Sequence, residues 1–154
     1  MRRKGEPLET QEDLRAYIPY LVNRLSNRLG ADQNKLLAEH GLNNAALRTL
    51  SVLHIYGKLT VNDISVLAVI EQSTASRTID ALLSAGLVTR ELGEADQRRR
   101  EVSMTPHGEI LLRRIWPVVE RNYERLVEGV KPDEIRLCAA VLSRMIDNVR
   151  KHPL

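Results

Sequence analysis

The chain has 154 residues, of which 43% are apolar and only 3% aromatic, with no phenylalanine. That size suits one domain, or one domain with extra helices used for assembly, built around an aliphatic core. The net charge of +3 is compatible with a polyanionic partner without selecting one. No apolar run reaches the ~18 residues of a membrane span. The basic start Met1-Arg2-Arg3-Lys4 leads into Glu6, Glu9 and Glu12 rather than an apolar signal core, so a cytoplasmic protein with no membrane partner is expected. The single cysteine, Cys138, excludes an internal disulfide and a cysteine-based metal cluster.

Residues 1–10 read as a flexible tail. From Leu14, apolar side chains recur at Tyr17, Ile18, Leu21, Val22, Leu25 and Leu29, the spacing of an amphipathic helix with one sticky seam. Pro19 marks a bend or a first turn in it. Gly30 and Gly41 are expected to punctuate a short connecting helix around 35–39. A helix over 44–56 turns Leu47, Leu50, Leu53 and His54 inward and stops at Gly57. A short helix over 61–69, a turn near 70–72 and a helix over 73–84 follow, the last burying Ala75, Ile79, Leu82 and Leu83. Two β-prone runs, 87–92 and 99–104, flank Gly93-Glu94-Ala95-Asp96 and read as a hairpin with a charged tip. Thr105-Pro106 opens a long helix to about residue 128, expected to kink at Pro117. Pro132-Asp133-Glu134 starts the last helix, whose stripe is Ile135, Cys138, Val141, Leu142, Met145, Ile146 and Val149. Cys138 on that stripe reads as buried packing.

Helix, turn, helix and hairpin in that order suggest a winged helix-turn-helix over 59–105. Charge does not argue for it: between Glu71 and Arg100, five arginines meet five carboxylates. Placement does. The outward residues of the 73–84 helix and its approach are Gln72, Ser73, Thr74, Ser76, Arg77 and Asp80. Most are short and polar, letting a helix approach a DNA groove closely, while its N-terminus attracts phosphate. Arg77 suits a guanine edge or a phosphate, and Arg98, Arg99 and Arg100 suit a narrow minor groove. On the residues alone, a protein-contact module with the same fold stays open, as does a ligand-independent architectural DNA binder.

Four segments carry a resemblance: Ser73-Thr74-Ala75-Ser76-Arg77-Thr78-Ile79-Asp80, Gly86-Leu87-Val88-Thr89-Arg90, Asp96-Gln97-Arg98 and Val102-Ser103-Met104-Thr105-Pro106-His107-Gly108. In this order and spacing the chain resembles the MarR (multiple antibiotic resistance regulator) family of bacterial transcription regulators from about residue 41 to 145. The resemblance implies a mainly α fold with a small β-hairpin: a tail (1–10), an N-terminal dimerisation helix with a short connecting helix (11–40), a DNA-binding lobe (41–105) and C-terminal dimerisation helices (106–154). It implies recognition contacts at Thr74, Ser76 and Arg77, an Asp96 that stabilises the wing, and an Arg98 that enters the minor groove. Two departures stand out. Val69 replaces a glycine common in the turn, which is therefore expected to avoid positive φ. Gln97 displaces a second wing arginine, leaving open which of the three arginines enters the groove.

The expected activity is repression by a homodimer on a pseudo-palindromic stretch of double-stranded DNA, relieved by a small aromatic or phenolic effector. The candidate effector pocket is Tyr17, Tyr20, Arg24, His54 and Trp116, with Arg24 holding a carboxylate between the rings. No cofactor or metal is expected, because His40, His54, His107 and His152 fall on different elements without ligand spacing. No hydrolase, P-loop, dinucleotide or zinc-protease motif points to an enzyme.

Overall fold

A computed structural model describes residues 7–92 and 100–149. It divides into two compact units, Met1–Asn44 and Ala45–Leu154.

In the first unit, α1 (Gln11–Ala16) opens on a capping box. The Thr10 hydroxyl donates to Asp13 at 2.8 Å and accepts from the Asp13 amide at 3.0 Å, satisfying amides that a helix start would leave open. That bond holds the Asp13 carboxyl below its ordinary pKa. The chain turns extended at Tyr17, and Pro19 sits in the first turn of α2 (Ile18–Ala38), where its missing N–H costs nothing. The expected break at Gly30 is absent: α2 runs through it. The Asn44 side chain donates to the Gly30 carbonyl at 2.7 Å, and a Cβ on Gly30 would meet that amide nitrogen at 3.4 Å. Gly30 thus gives close approach rather than a helix end. Gly41, at φ +68°, closes the segment instead.

The second unit takes in α3 (Asn44–Tyr56) from its second residue, followed by β1 (Leu59–Thr60), α4 (Val61–Leu67), α5 (Gln72–Ser84), β2 (Val88–Leu92), β3 (Arg100–Met104), α6 (Pro106–Leu126) and α7 (Pro132–Val149). The hairpin is part of a three-stranded antiparallel sheet of order β1-β3-β2; Leu59 pairs with Val102, and Val102 with Arg90. The core is aliphatic as composition requires, with Leu50, Leu53, Ile64, Ile79, Val102 and Ile115 almost wholly buried. His54 is a correction: it is exposed, pointing away from the leucines it follows.

Thr105 closes a tight joint. Its hydroxyl accepts from the Gly108 amide at 3.1 Å, capping α6, and donates to the Gly86 carbonyl at 2.7 Å. Any Cβ on Gly108 would lie 2.2 Å from the Leu87 carbonyl oxygen. Helix α6 continues through Pro117. Helix α7 buries none of its residues, and Cys138, expected to pack inside, is exposed. Among the described residues no helix is long and apolar enough to cross a membrane.

Candidate nucleic-acid interface

Two helix ends of the same design frame α5. At its own end, Gly86 takes φ +68°, the Leu87 amide reaches the Leu82 carbonyl at 2.9 Å and the Gly86 amide reaches Leu83 at 3.0 Å. This is a Schellman motif with glycine where φ is positive. Helix α4 ends identically, with Ile70 donating to Ser65 at 3.0 Å and Val69 to Val66 at 3.3 Å. There the positive-φ residue is Val69, at φ 53°. The expectation that a valine keeps this turn out of the left-handed region is overturned. The two hydrogen bonds that satisfy the ends of α4 require that geometry, whatever residue supplies it.

Helix α5 starts at Gln72, one residue before the expected Ser73, and its N-cap Glu71 makes no side-chain cap. Its first amides are left without a side-chain acceptor, the electrostatic state that suits an anion. Ala75, Ile79 and Leu82 are buried. Gln72, Ser73, Ser76, Arg77 and Asp80 are exposed, with Thr74 half-buried. Arg77 folds toward the helix start, Nε donating to the Ser73 carbonyl at 3.3 Å. Its terminal nitrogens have no partner among the described residues. One turn further, Asp80 accepts from Arg90 Nη2 of β2 at 3.0 Å.

Of the wing residues, Arg100 stands exposed at the first position of β3, opposite Leu92. It borders a polar hollow with Thr60, Asn62 and Asp63. Asp96, Arg98 and Arg99 lie outside the described residues.

The expected effector residues are shared between the two units. Tyr17, Tyr20 and Arg24 belong to the first unit, where Arg24 donates to the Tyr20 hydroxyl at 3.0 Å. His54 and Trp116 meet in the second unit, at a cavity of about 460 Å³ lined by Ser51, His54 and Ile55 of α3 and Leu112, Arg113, Trp116 and Pro117 of α6. His54 Nδ1 lies 3.0 and 3.1 Å from the two Glu109 carboxylate oxygens. Ser51, Ile55, Leu112, Arg113 and Pro117 were not read as cavity residues from the sequence, although the spacings 51-54-55 and 112-113-116-117 each place one helix face together. Among the described residues no cluster of three His, Cys, Asp or Glu could hold a metal.

A helix held across a left-handed turn from a second, exposed helix, followed by an antiparallel hairpin, defines a winged helix-turn-helix. Residues 40–99 match the MarR family model. A MarR family transcriptional regulator from Silicibacter pomeroyi DSS is 36% identical, with 95% of this chain and 98% of that one covered and a TM-score of 0.88. The chain therefore belongs to the MarR family of transcriptional regulators. A Bacillus subtilis (strain 168) protein, the uncharacterized HTH-type transcriptional regulator YwaE, is 25% identical over 117 residues, 76% of this chain and 68% of that protein. Bordetella bronchiseptica BpsR, whose DNA binding is regulated by 6-hydroxynicotinic acid, shares the fold at a TM-score of 0.75 and 24% identity over 83% of this chain and 97% of that one.

Proposed function

We propose that the chain is a cytoplasmic repressor that binds a pseudo-palindromic operator as a homodimer, placing one α5 helix in each of two major grooves. The half-sites are then about one helical turn, ~10 bp, apart. The observation that carries this reading is the exposed face of α5, with Gln72, Ser73, Ser76 and Arg77 outward at an N-terminus without a side-chain cap. Thr74, Ser76 and Arg77 read base edges, and Ser73 with the helix start takes a phosphate. One of Arg98, Arg99 and Arg100 enters the minor groove, with Asp96 stabilising the wing.

Removing the Arg77 guanidinium should cost ~1–3 kcal/mol of operator binding. The measurement is a titration of Arg77→Ala against a duplex selected by the wild-type chain from a random pool. Wild-type affinity in the variant would place the reading face elsewhere.

A second strand of the reading concerns release. The apolar cavity beside Trp116 and His54, together with the fold shared with the ligand-regulated BpsR, favours a small aromatic effector. A tenfold loss of operator affinity needs only ~1.4 kcal/mol of differential binding.

A further inference from the structure

Asp80 poses a problem for a DNA-reading helix. It is exposed on the face that carries Ser73, Ser76 and Arg77, a carboxylate turned toward where phosphates would lie, and its side chain is 61% accessible. Its partner resolves the problem. Arg90 sits on β2 two residues after the buried Val88 and shares its strand face. The Arg90 side chain is only 26% accessible, and its Nε is buried with no hydrogen-bond partner. The stem is thus held down while Nη2 reaches Asp80 at 3.0 Å.

The location gives the pair leverage. Arg90 pairs with Val102, and Val102 with Leu59, near where the sheet narrows from three strands to two. Beyond Thr60, Glu101 and Glu91, only the β2-β3 ribbon continues toward the tip. From Val88 to Leu92 a strand extends ~14 Å, so a swing of about 10° at its base displaces that end by ~2.4 Å, over a third of a ~6 Å minor groove.

We propose that Asp80 and Arg90 form a positioning clamp that fixes the angle between the reading helix and the wing, so that both engage the same DNA at once. This rests on the reading of α5 and the hairpin as the DNA-contacting elements. Neither residue is assigned a base contact; each acts through the elements it ties.

The sign of one substitution separates the clamp from simple charge. Asp80→Asn removes a negative charge near phosphates. Were repulsion its main effect, binding would tighten. As a clamp residue, its loss lowers the preference for the selected duplex over random duplex by roughly tenfold. Arg90→Gln does the same, the double variant is no worse than either single one, and Arg90→Lys recovers part of the loss. A second readout needs no DNA. Spin labels at Gln72→Cys and Leu92→Cys, in a Cys138→Ser background, report the helix-to-wing distance in the free protein. Wild type should give one narrow distribution that broadens in Asp80→Asn and Arg90→Gln while both variants keep the wild-type helical content. Unchanged distance distributions, or tighter DNA binding by Asp80→Asn, would overturn the clamp. A wild-type chain that selects no duplex would sink the DNA reading instead, and the spin-label distances would still decide the clamp.

Discussion

Val69 carries backbone strain that its side chain does nothing to repay. Left-handed geometry costs an L-residue about 1–2 kcal/mol, and a β-branched residue sits there uncommonly. The side chain is 77% exposed, so trimming it sacrifices little burial. Glycine removes the strain but adds ~0.5–1 kcal/mol of chain entropy to the unfolded state. The difference favours the variant: Val69→Gly should raise stability by about 0.5–1 kcal/mol, read as a higher urea midpoint at unchanged slope. A lower midpoint would show that Val69 makes an interaction that outweighs its strain. The same position marks a boundary of what the sequence discloses. Gly86 announces its left-handed turn by being glycine; Val69 hides an identical turn, because the requirement comes from the amides of Val69 and Ile70 and not from the residue. His54 is similar: it is spaced with Leu47 and Leu50, yet its carboxylate partner, Glu109, lies 55 positions away.

Elements were legible where periodicity is long and capped. Helix α3, the body of α5 and the start of α6 follow from leucine spacing, Gly57, Gly86 and Thr105-Pro106. Strand β1 was not, since two residues, Leu59 and Thr60, carry no alternation and are defined by pairing with Val102 and Glu101. Helix α2 ran on past Gly30 because an interior glycine costs a helix only about 1 kcal/mol, which the Asn44 contact helps to offset. The candidate cavity needed two elements at once. Proline at 117 is part of its lining, and lacking an N–H it cannot donate to the Arg113 carbonyl as another residue in the helix would. Under the effector reading, a small planar aromatic compound suits walls of this composition. Titrating 6-hydroxynicotinic acid should quench the fluorescence of Trp116, the single tryptophan, in a saturable way. Quenching that rises linearly without saturation would leave the cavity without this ligand class.

For the whole molecule, the unmet demand is apolar area. Leu142, Met145, Ile146 and Val149 on α7, and Ile18, Leu21, Val22 and Leu25 on α2, are all exposed in the single chain. Stripes of this kind usually mark an interface. The stripes were readable from spacing, but the exposure of Cys138 in the single chain was not, since spacing puts a side chain on a stripe without saying what that stripe packs against. Under the homodimer reading, Leu142→Glu with Ile146→Glu should yield a species of monomer mass, 17.5 kDa, by analytical ultracentrifugation. Operator affinity should fall with it by ~10²-fold or more, as the second half-site ceases to be tethered to the first. A double variant that still sediments as a dimer would move the interface to other surfaces. The Gly108 joint bears on how such an assembly transmits motion. Where backbone rests on backbone, with the Thr105 hydroxyl bridging to Gly86, sliding is blocked in every direction that would bring Gly108 closer to the Leu87 carbonyl. The Thr105 bonds to Gly86 and Gly108 hold α6 against the exit of α5 at that point. Under the reading of α5 as the DNA-contacting helix, a displacement imposed on α6 would pass to α5 through this joint and alter how that helix meets a groove.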